Sequence, residues 1–117
     1  DDFNKLSKAQ MKNAPLPYIK NGVYEYGKVK SGSDVNYSFT VQNKGKDPLI
    51  IRKIECSSES VEILSVVPLT INGGETKEIK GIINGIEGNG DTLYTITLIT
   101  NSPSRPMINL FISGIVK

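Results

Sequence analysis

Cys56 is the first side chain in this sequence whose type could support covalent or redox chemistry. The chain has 117 residues, a single Cys and no His. The lack of His excludes Ser-His-Asp and Cys-His nucleophile systems and the HExxH zinc site, and one Cys allows neither an intradomain disulfide nor a CxxC motif. Cys56 is therefore a candidate reactive thiol. The alternative, which we favour, is a small apolar side chain buried at a strand end.

Two groups of oxygen-bearing side chains could form other sites. Glu55, Glu59 and Glu62 lie close together in sequence, but glycoside hydrolysis requires two carboxylates that face each other in a cleft. Residues 84–91 combine Asn, Asp and Glu with glycines, but their order differs from that of a calcium-binding loop. We interpret these groups as exposed charges and as a hairpin connection. The sequence thus predicts no catalytic residue, no metal site and no cofactor, and we expect a protein that is not an enzyme.

Tyr24 and Tyr26 are candidate interaction residues. They are two positions apart, so they share one face if the segment is a strand. An exposed aromatic strip of this kind would suit a carbohydrate-binding accessory module or a protein-binding surface. The alternative is that both rings pack over the edge of the fold. Binding of nucleic acid is not expected, because the net charge is only +2 and no run of like charges concentrates it.

The composition indicates that β-strands position these side chains. Ile, Val and Thr are abundant, whereas Ala occurs only at positions 9 and 14, and β-branched residues favour pleated strands over helices. The clearest strand is Asp34–Asn43, where Val35, Tyr37, Phe39 and Val41 alternate with polar residues. This period of two predicts one buried face and one exposed face. No apolar run approaches the roughly 20 residues needed to cross a bilayer.

Strand-like runs separated by turn signals continue along the chain from residue 22. They predict seven strands in an all-β immunoglobulin-like sandwich over residues 22–117. Residues 1–21, with Pro15 and Pro17 near their end, are predicted to be an N-terminal extension or linker in which a short helix could form over residues 1–11. The seven predicted strands are Val23–Val29, Asp34–Asn43, Leu49–Cys56, Val61–Val67, Glu75–Asn84, Thr92–Asn101 and Met107–Lys117.

Several short motifs in a fixed order resemble a bacterial family of unknown function, DUF1573. The segment 26–29, Tyr-Gly-Lys-Val, is followed by Tyr-Ser-Phe-Thr-Val-Gln-Asn-Lys-Gly at 37–45 and by Pro-Leu-Ile-Ile at 48–51. Later segments agree, namely Asn-Gly-Gly-Glu at 72–75, Thr-Asn-Ser at 100–102 and Leu-Phe-Ile-Ser-Gly at 110–114. Each motif is weak alone, but their order over residues 22–117 makes the resemblance specific. The sequence departs from it after the 48–51 segment, where family members often carry Cys-Gly-Cys and this chain retains only Cys56.

The resemblance implies an immunoglobulin-like sandwich similar to PapD-like domains and export to the bacterial envelope. We therefore expect a non-enzymatic structural or protein-interaction module in the periplasm or on the cell surface, with a membrane tether or lipid anchor upstream of Asp1 as one option. Sandwich rims carry unpaired backbone groups, so the expected partner is another envelope protein that pairs with an edge strand. The candidate edges are the first and last predicted strands, Val23–Val29 and Met107–Lys117. The oligomeric state is left open.

Overall fold

The protein, described here by a computed structural model that covers residues 13–117, is built from β-strands. Nine strands occur in this part of the chain: β1 (Pro17–Tyr18), β2 (Val23–Val29), β3 (Val35–Asn43), β4 (Leu49–Cys56), β5 (Val61–Ile63), β6 (Leu69–Ile71), β7 (Thr76–Ile83), β8 (Gly90–Thr100) and β9 (Met107–Val116). No helix in residues 13–117 is long and apolar enough to span a bilayer. The helix considered for residues 1–11 lies outside the described residues.

The strands form two sheets that pack face to face. Sheet A has the order β1-β3-β7-β5, and sheet B has the order β2-β9-β8-β4-β6. Neighbouring strands are antiparallel except for β2 and β9, which run parallel. The chain alternates between the sheets from β1 to β8, so that β1, β3, β5 and β7 lie in sheet A and β2, β4, β6 and β8 lie in sheet B, where β9 follows β8 directly. The predicted all-β immunoglobulin-like sandwich is confirmed.

The count of seven strands was wrong because two short strands were missed. The run Val61–Val67 was predicted to be one strand, but β5 ends at Ile63 and the chain then crosses to sheet B, where β6 pairs with β4. Pro68, which has no N–H to donate, lies in this crossing. Strand β1 is only two residues long and contains Pro17, so the sequence offers no alternation by which to recognise it.

The core lies between the sheets and is formed by the inward face of each strand. In β3, Val35, Tyr37, Phe39 and Val41 are buried and the residues between them are not, as the period of two predicted. The other buried apolar residues are Leu49, Ile51, Val61, Ile71, Ile79, Ile83, Ile86, Ile96, Leu98, Ile108, Leu110, Ile112 and Val116. Most are β-branched, which explains how a chain with little Ala and no Trp fills a sandwich.

Asn43 fastens the short strand β1 to the rest of the fold. Its side chain is fully buried; Oδ1 accepts hydrogen bonds from the N–H groups of Leu16 (3.1 Å) and Gly45 (2.9 Å). Its Nδ2 donates to the carbonyls of Asp47 (2.8 Å) and Ile71 (2.9 Å). Strand β1, which lies within the predicted extension 1–21, therefore pairs with sheet A.

A tyrosine ring covers a glycine on the neighbouring strand in each sheet. In sheet A, Tyr37 lies opposite Gly81, and its hydroxyl donates to the carbonyl of Glu62 at 3.0 Å. A Cβ atom at Gly81 would overlap that hydroxyl and that carbonyl. In sheet B, the ring of Tyr26 occupies the space where Gly114 would carry a Cβ atom. Both glycines are therefore required by the close approach of an aromatic ring.

Candidate functional site

Cys56 is exposed at the end of β4, contrary to the buried position that we favoured from the sequence. Its Sγ contacts the carbonyl oxygens of Ser58 at 3.3 Å and Val61 at 3.4 Å. The strand ends at this position, so the following turn rather than the opposite sheet faces the thiol. The thiol is accessible, and no second Cys exists in the chain to form a disulfide with it.

Tyr24 and Tyr26 are half-buried and pack toward the core, so they do not form an exposed strip. Tyr24 meets Phe39 edge to face, with ring centroids 6.4 Å apart. Tyr26 lies over Gly114, and its hydroxyl is hydrogen-bonded to Oγ1 of Thr92. Alternation in β2 turns both rings inward and leaves Val23 and Glu25 outside. The arrangement offers no aromatic platform for a sugar at these two positions.

The carboxylates singled out in the sequence, Glu55, Glu59 and Glu62, are exposed. Oε2 of Glu62 accepts a hydrogen bond from Nδ2 of Asn84 at 2.9 Å, and the residue is exposed. Among residues 13–117, no three Cys, Asp or Glu side chains cluster as metal ligands would.

Tyr37 has a pKa well above the ordinary value for a phenol. Burial is the largest cause, the nearby charges of Cys56 and Glu62 add to it, and together they raise the pKa to about 12. A phenol with so high a pKa stays protonated and serves as a hydrogen-bond donor.

The predicted edge strands are partly wrong. Strand β9, at Met107–Val116, lies inside sheet B between β2 and β8, because β2 pairs with it in parallel. The other prediction, Val23–Val29, is an edge strand. Two features make its free side a poor partner for another strand. The N–H of Val23 donates to Oδ1 of Asn21 at 3.0 Å, and a register irregularity interrupts the pairing between Glu25 and Lys28. Gly27, with φ of 78°, permits this bulge, since other residues rarely adopt such a backbone conformation.

The edge of β3 is open, and sequence reasoning did not identify it. Strand β1 pairs only with Gln42 and Asn43 before the chain leaves sheet A. The N–H of Asn43 points toward the β7 side, where it donates to the carbonyl of Glu75, the residue just before β7, at 3.0 Å. Backbone groups of alternate residues point to opposite sides of a strand, so those of Asn36, Ser38 and Thr40 point away from β7. Within residues 13–117 these groups have no hydrogen-bond partner.

The open edge has the geometry of a site for strand addition. Its side chains Asn36, Ser38 and Thr40 are exposed and small, and the pairing of β3 with β7 continues without irregularity from Val35 to Gln42. A regular edge of this length can pair with an extended peptide through backbone hydrogen bonds. The sequence could show the alternation of β3, but not which strands lie beside it.

Comparison with known proteins identifies a family and a fold. Residues 18–116 match the model of DUF1573, described as "Protein of unknown function (DUF1573)". No curated protein matches the chain. Among solved structures, a protein of unknown function from Porphyromonas gingivalis W83 superimposes with a TM-score of 0.77 at 14% identity, over 98% of this chain and 51% of that one. This chain therefore spans about half the length of that protein.

Two further structures extend the likeness in fold. The secreted serine protease VesC from Vibrio cholerae matches with a TM-score of 0.65 at 10% identity, over 92% of this chain and 24% of that chain. The human CEP192 ASH/PapD-like domain matches with a TM-score of 0.56 at 11% identity, over 90% of this chain and 87% of that one. At these identities the likeness shows a shared PapD-like sandwich and no shared activity.

Proposed function

This chain belongs to the DUF1573 family, and we propose that its domain is a non-catalytic protein-interaction module of the bacterial cell envelope. One observation carries the proposal. Sheet A ends in the regular edge Asn36–Thr40, whose outward backbone groups have no partner within the described residues. Natural sandwiches usually protect such edges, and an unprotected one can pair with an extended segment of another protein.

The proposed compartment is the periplasm or the cell surface, with or without a lipid anchor. Support comes from the resemblance to an exported family. The same sandwich fold also occurs in a protein described as a secreted protease, VesC. Fractionation of cells that produce the full-length gene product tests this part directly. Recovery in the cytoplasmic fraction alone would contradict it.

Capture of partners from envelope extract tests the interaction. The bait is the wild-type chain, and the matched variants are Ser38→Pro in β3 and Lys28→Pro in β2. Proline removes one outward N–H and blocks strand addition at an edge. We expect Ser38→Pro to lose the captured protein and Lys28→Pro to retain it, with folding of both checked by circular dichroism. If the Ser38→Pro variant captures as much as wild type, pairing at β3 is not the mechanism.

A further inference from the structure

A groove lies beside the open edge of β3, and the path of the chain creates it. Strand β1 occupies the position next to Gln42 and Asn43, and the chain then crosses to sheet B instead of continuing along β3. The position that it leaves is a groove of about 590 Å³ between β3 and β2. On the β3 side it is lined by Ser38, Phe39 and Thr40, within the unpaired stretch Asn36–Thr40. A short extended segment that continued the line of β1 would fill it.

The floor of the groove is apolar. Phe39, only 2% exposed, and Tyr24 meet there, and Val23 lies beside them. Side chains of an added strand alternate between the two faces of the sheet. Every second side chain of a bound segment would therefore turn toward Phe39 and Tyr24, where an apolar side chain would lose the most contact with water.

The rim of the groove is positively charged. Lys20 lines this groove and the adjoining one beside Tyr18 and Gln42, and no Asp or Glu lines either. Nζ of Lys44 lies 3.7 Å from the centre of the Tyr18 ring. Neither lysine forms an ion pair within residues 13–117.

Within β7, the neighbour of β3, the carboxylate is already paired. Glu78 of β7 lies across from Thr40, and its Oε2 is 3.2 Å from Nζ of Lys80. The outward side chains of a bound segment would therefore meet Lys20, unpaired within the described residues, at the rim rather than a free carboxylate. Acidic side chains are complementary to this charge.

We propose that the groove binds an extended segment of a partner protein in which apolar residues alternate with acidic ones. Its backbone pairs with the edge Asn36–Thr40, its apolar side chains pack against Tyr24 and Val23 beside the buried Phe39, and its acidic side chains reach Lys20. This inference rests on the proposed function, because it names the partner chemistry of the same edge.

Synthetic peptides of about seven residues test the inference against the full chain by fluorescence anisotropy. One peptide alternates Glu with Val, a second alternates Lys with Val, and a third is the Glu and Val peptide with alternate backbone nitrogens methylated. We expect the first to bind roughly tenfold more tightly than the other two, and its affinity to fall with added salt. A peptide copying residues 1–12 of this chain is the fourth probe. If it binds more tightly than the first, the groove is a site for the chain's own N-terminus and the proposal fails.

Charge reversal at the rim provides the matched variants. Lys20→Glu is expected to weaken the acidic peptide about three- to tenfold and to strengthen the basic one. Lys53→Glu makes the same change on β4 of the other sheet and should leave both affinities unchanged. Equal effects of the two variants would overturn the proposal. So would a dimer, detected by analytical ultracentrifugation, that Ser38→Pro dissociates, because a second copy would then occupy the edge.

The peptide series separates this inference from the proposed function beneath it. If the methylated peptide binds as well as its parent, backbone pairing is absent and both ideas fail. If the basic peptide binds as well as the acidic one while methylation still prevents binding, the edge is an interaction site but its preference for acidic segments is wrong. The inference stands only if methylation, peptide charge and the Lys20 variant all change the affinity in the stated directions.

Discussion

The edges of β2 and β3 lie on the same side of the sandwich but are protected differently. The edge of β2 contains a bulge between Glu25 and Lys28, and the side chain of Asn21 caps its first N–H group. The edge of β3 has neither feature, and β1 covers only its last two residues. Bulges and local caps are common ways to prevent unwanted strand pairing. The absence of both from β3 makes it the more available of these two edges for binding.

The anchoring of the two strands differs as well. Tyr37 of β3 spans Gly81 and reaches the backbone of Glu62 on the third strand, so it ties three strands of sheet A together. Tyr26 of β2 covers Gly114 and reaches the side chain of Thr92. Strand β3, which carries the open edge, is therefore firmly held on the side that faces β7. We expect such an edge to be ordered before a partner binds.

The largest expected effect distinguishes these two anchors. Gly81→Ala should lower the free energy of unfolding by about 3 kcal/mol, because the new methyl overlaps the Tyr37 hydroxyl and the rigid carbonyl of Glu62. Gly114→Ala should cost about 1 kcal/mol, because the half-buried ring of Tyr26 can rotate toward solvent. Urea denaturation measures both. Equal losses would show that the two strands are anchored alike.

The next largest effect concerns the end of β3, where β1 pairs with it. Asn43→Ala should cost about 2 kcal/mol, since it removes four hydrogen bonds to backbone groups just before β1, in the turn after β3 and in β6, where the carbonyl of Ile71 is buried. Asn36→Ala, an exposed change on the same strand, is the control and should cost less than about 0.5 kcal/mol. Similar unfolding midpoints for the two variants would contradict the role assigned to Asn43.

The sequence was sufficient to predict which face of a strand is buried, but not which strands lie beside it. Strand β3 was predicted almost residue for residue, because its alternation reflects burial, which depends on the side chains of that strand alone. Its open edge depends on where β1 leaves the sheet, and a two-residue strand has no periodic signal. The same reason explains the error over β9, which reads as a terminal strand but is covered by the parallel strand β2.

The candidate site was harder to predict because its elements come from distant segments. Tyr24 and Tyr26 were predicted to be interaction residues because they are aromatic and two positions apart. Their inward orientation depends on Phe39 and Gly114, which only the fold brings near them. Lys20 was part of a segment interpreted as a linker, and nothing in its local sequence indicates a groove. Cys56 was expected to be buried from the general behaviour of free cysteines, and only the end of β4 shows why it is exposed.

A smaller effect should follow from the ionisation of Tyr37 in the anchor of β3. The folded state keeps this phenol protonated up to about pH 12, whereas the unfolded chain releases the proton near the ordinary pKa of 10. Between these values the folded state binds more protons, so the free energy of unfolding must fall as the pH rises from about 10 to 12, and the contribution is fully present below 10. We expect a loss of about 1 kcal/mol, because solvent screens part of the shift.

The Tyr37→Phe variant isolates this contribution from the titration of the lysines. It loses the hydrogen bond to Glu62, at a cost of about 1 kcal/mol near pH 7, and it has no phenol to ionise. The difference in stability between wild type and variant should therefore shrink between pH 10 and 12. Urea denaturation at several pH values measures it. A difference that stays constant over this range would contradict the buried, donor role of the Tyr37 hydroxyl.

The last prediction needs no substitution and tests the open edge of β3 directly. Amide hydrogen exchange, resolved by residue with NMR, should alternate along the strand. The amides of Tyr37, Phe39 and Val41 point toward β7 and should be protected by about a thousandfold or more. Those of Ser38 and Thr40 point outward and should exchange within roughly tenfold of an unstructured peptide.

Addition of the Glu and Val peptide should then slow exchange at Ser38 and Thr40 while leaving the protection of Phe39 unchanged. The amide of Val23 on β2, capped by Asn21, provides the internal reference and should not respond. Protection of Ser38 and Thr40 in the free protein would mean that another part of the chain already covers the edge. In that case the contrast between β2 and β3 would lie in how each edge is covered, and β3 could bind a partner only by first releasing its own cover, which would lower the apparent affinity by the fraction of molecules that are open.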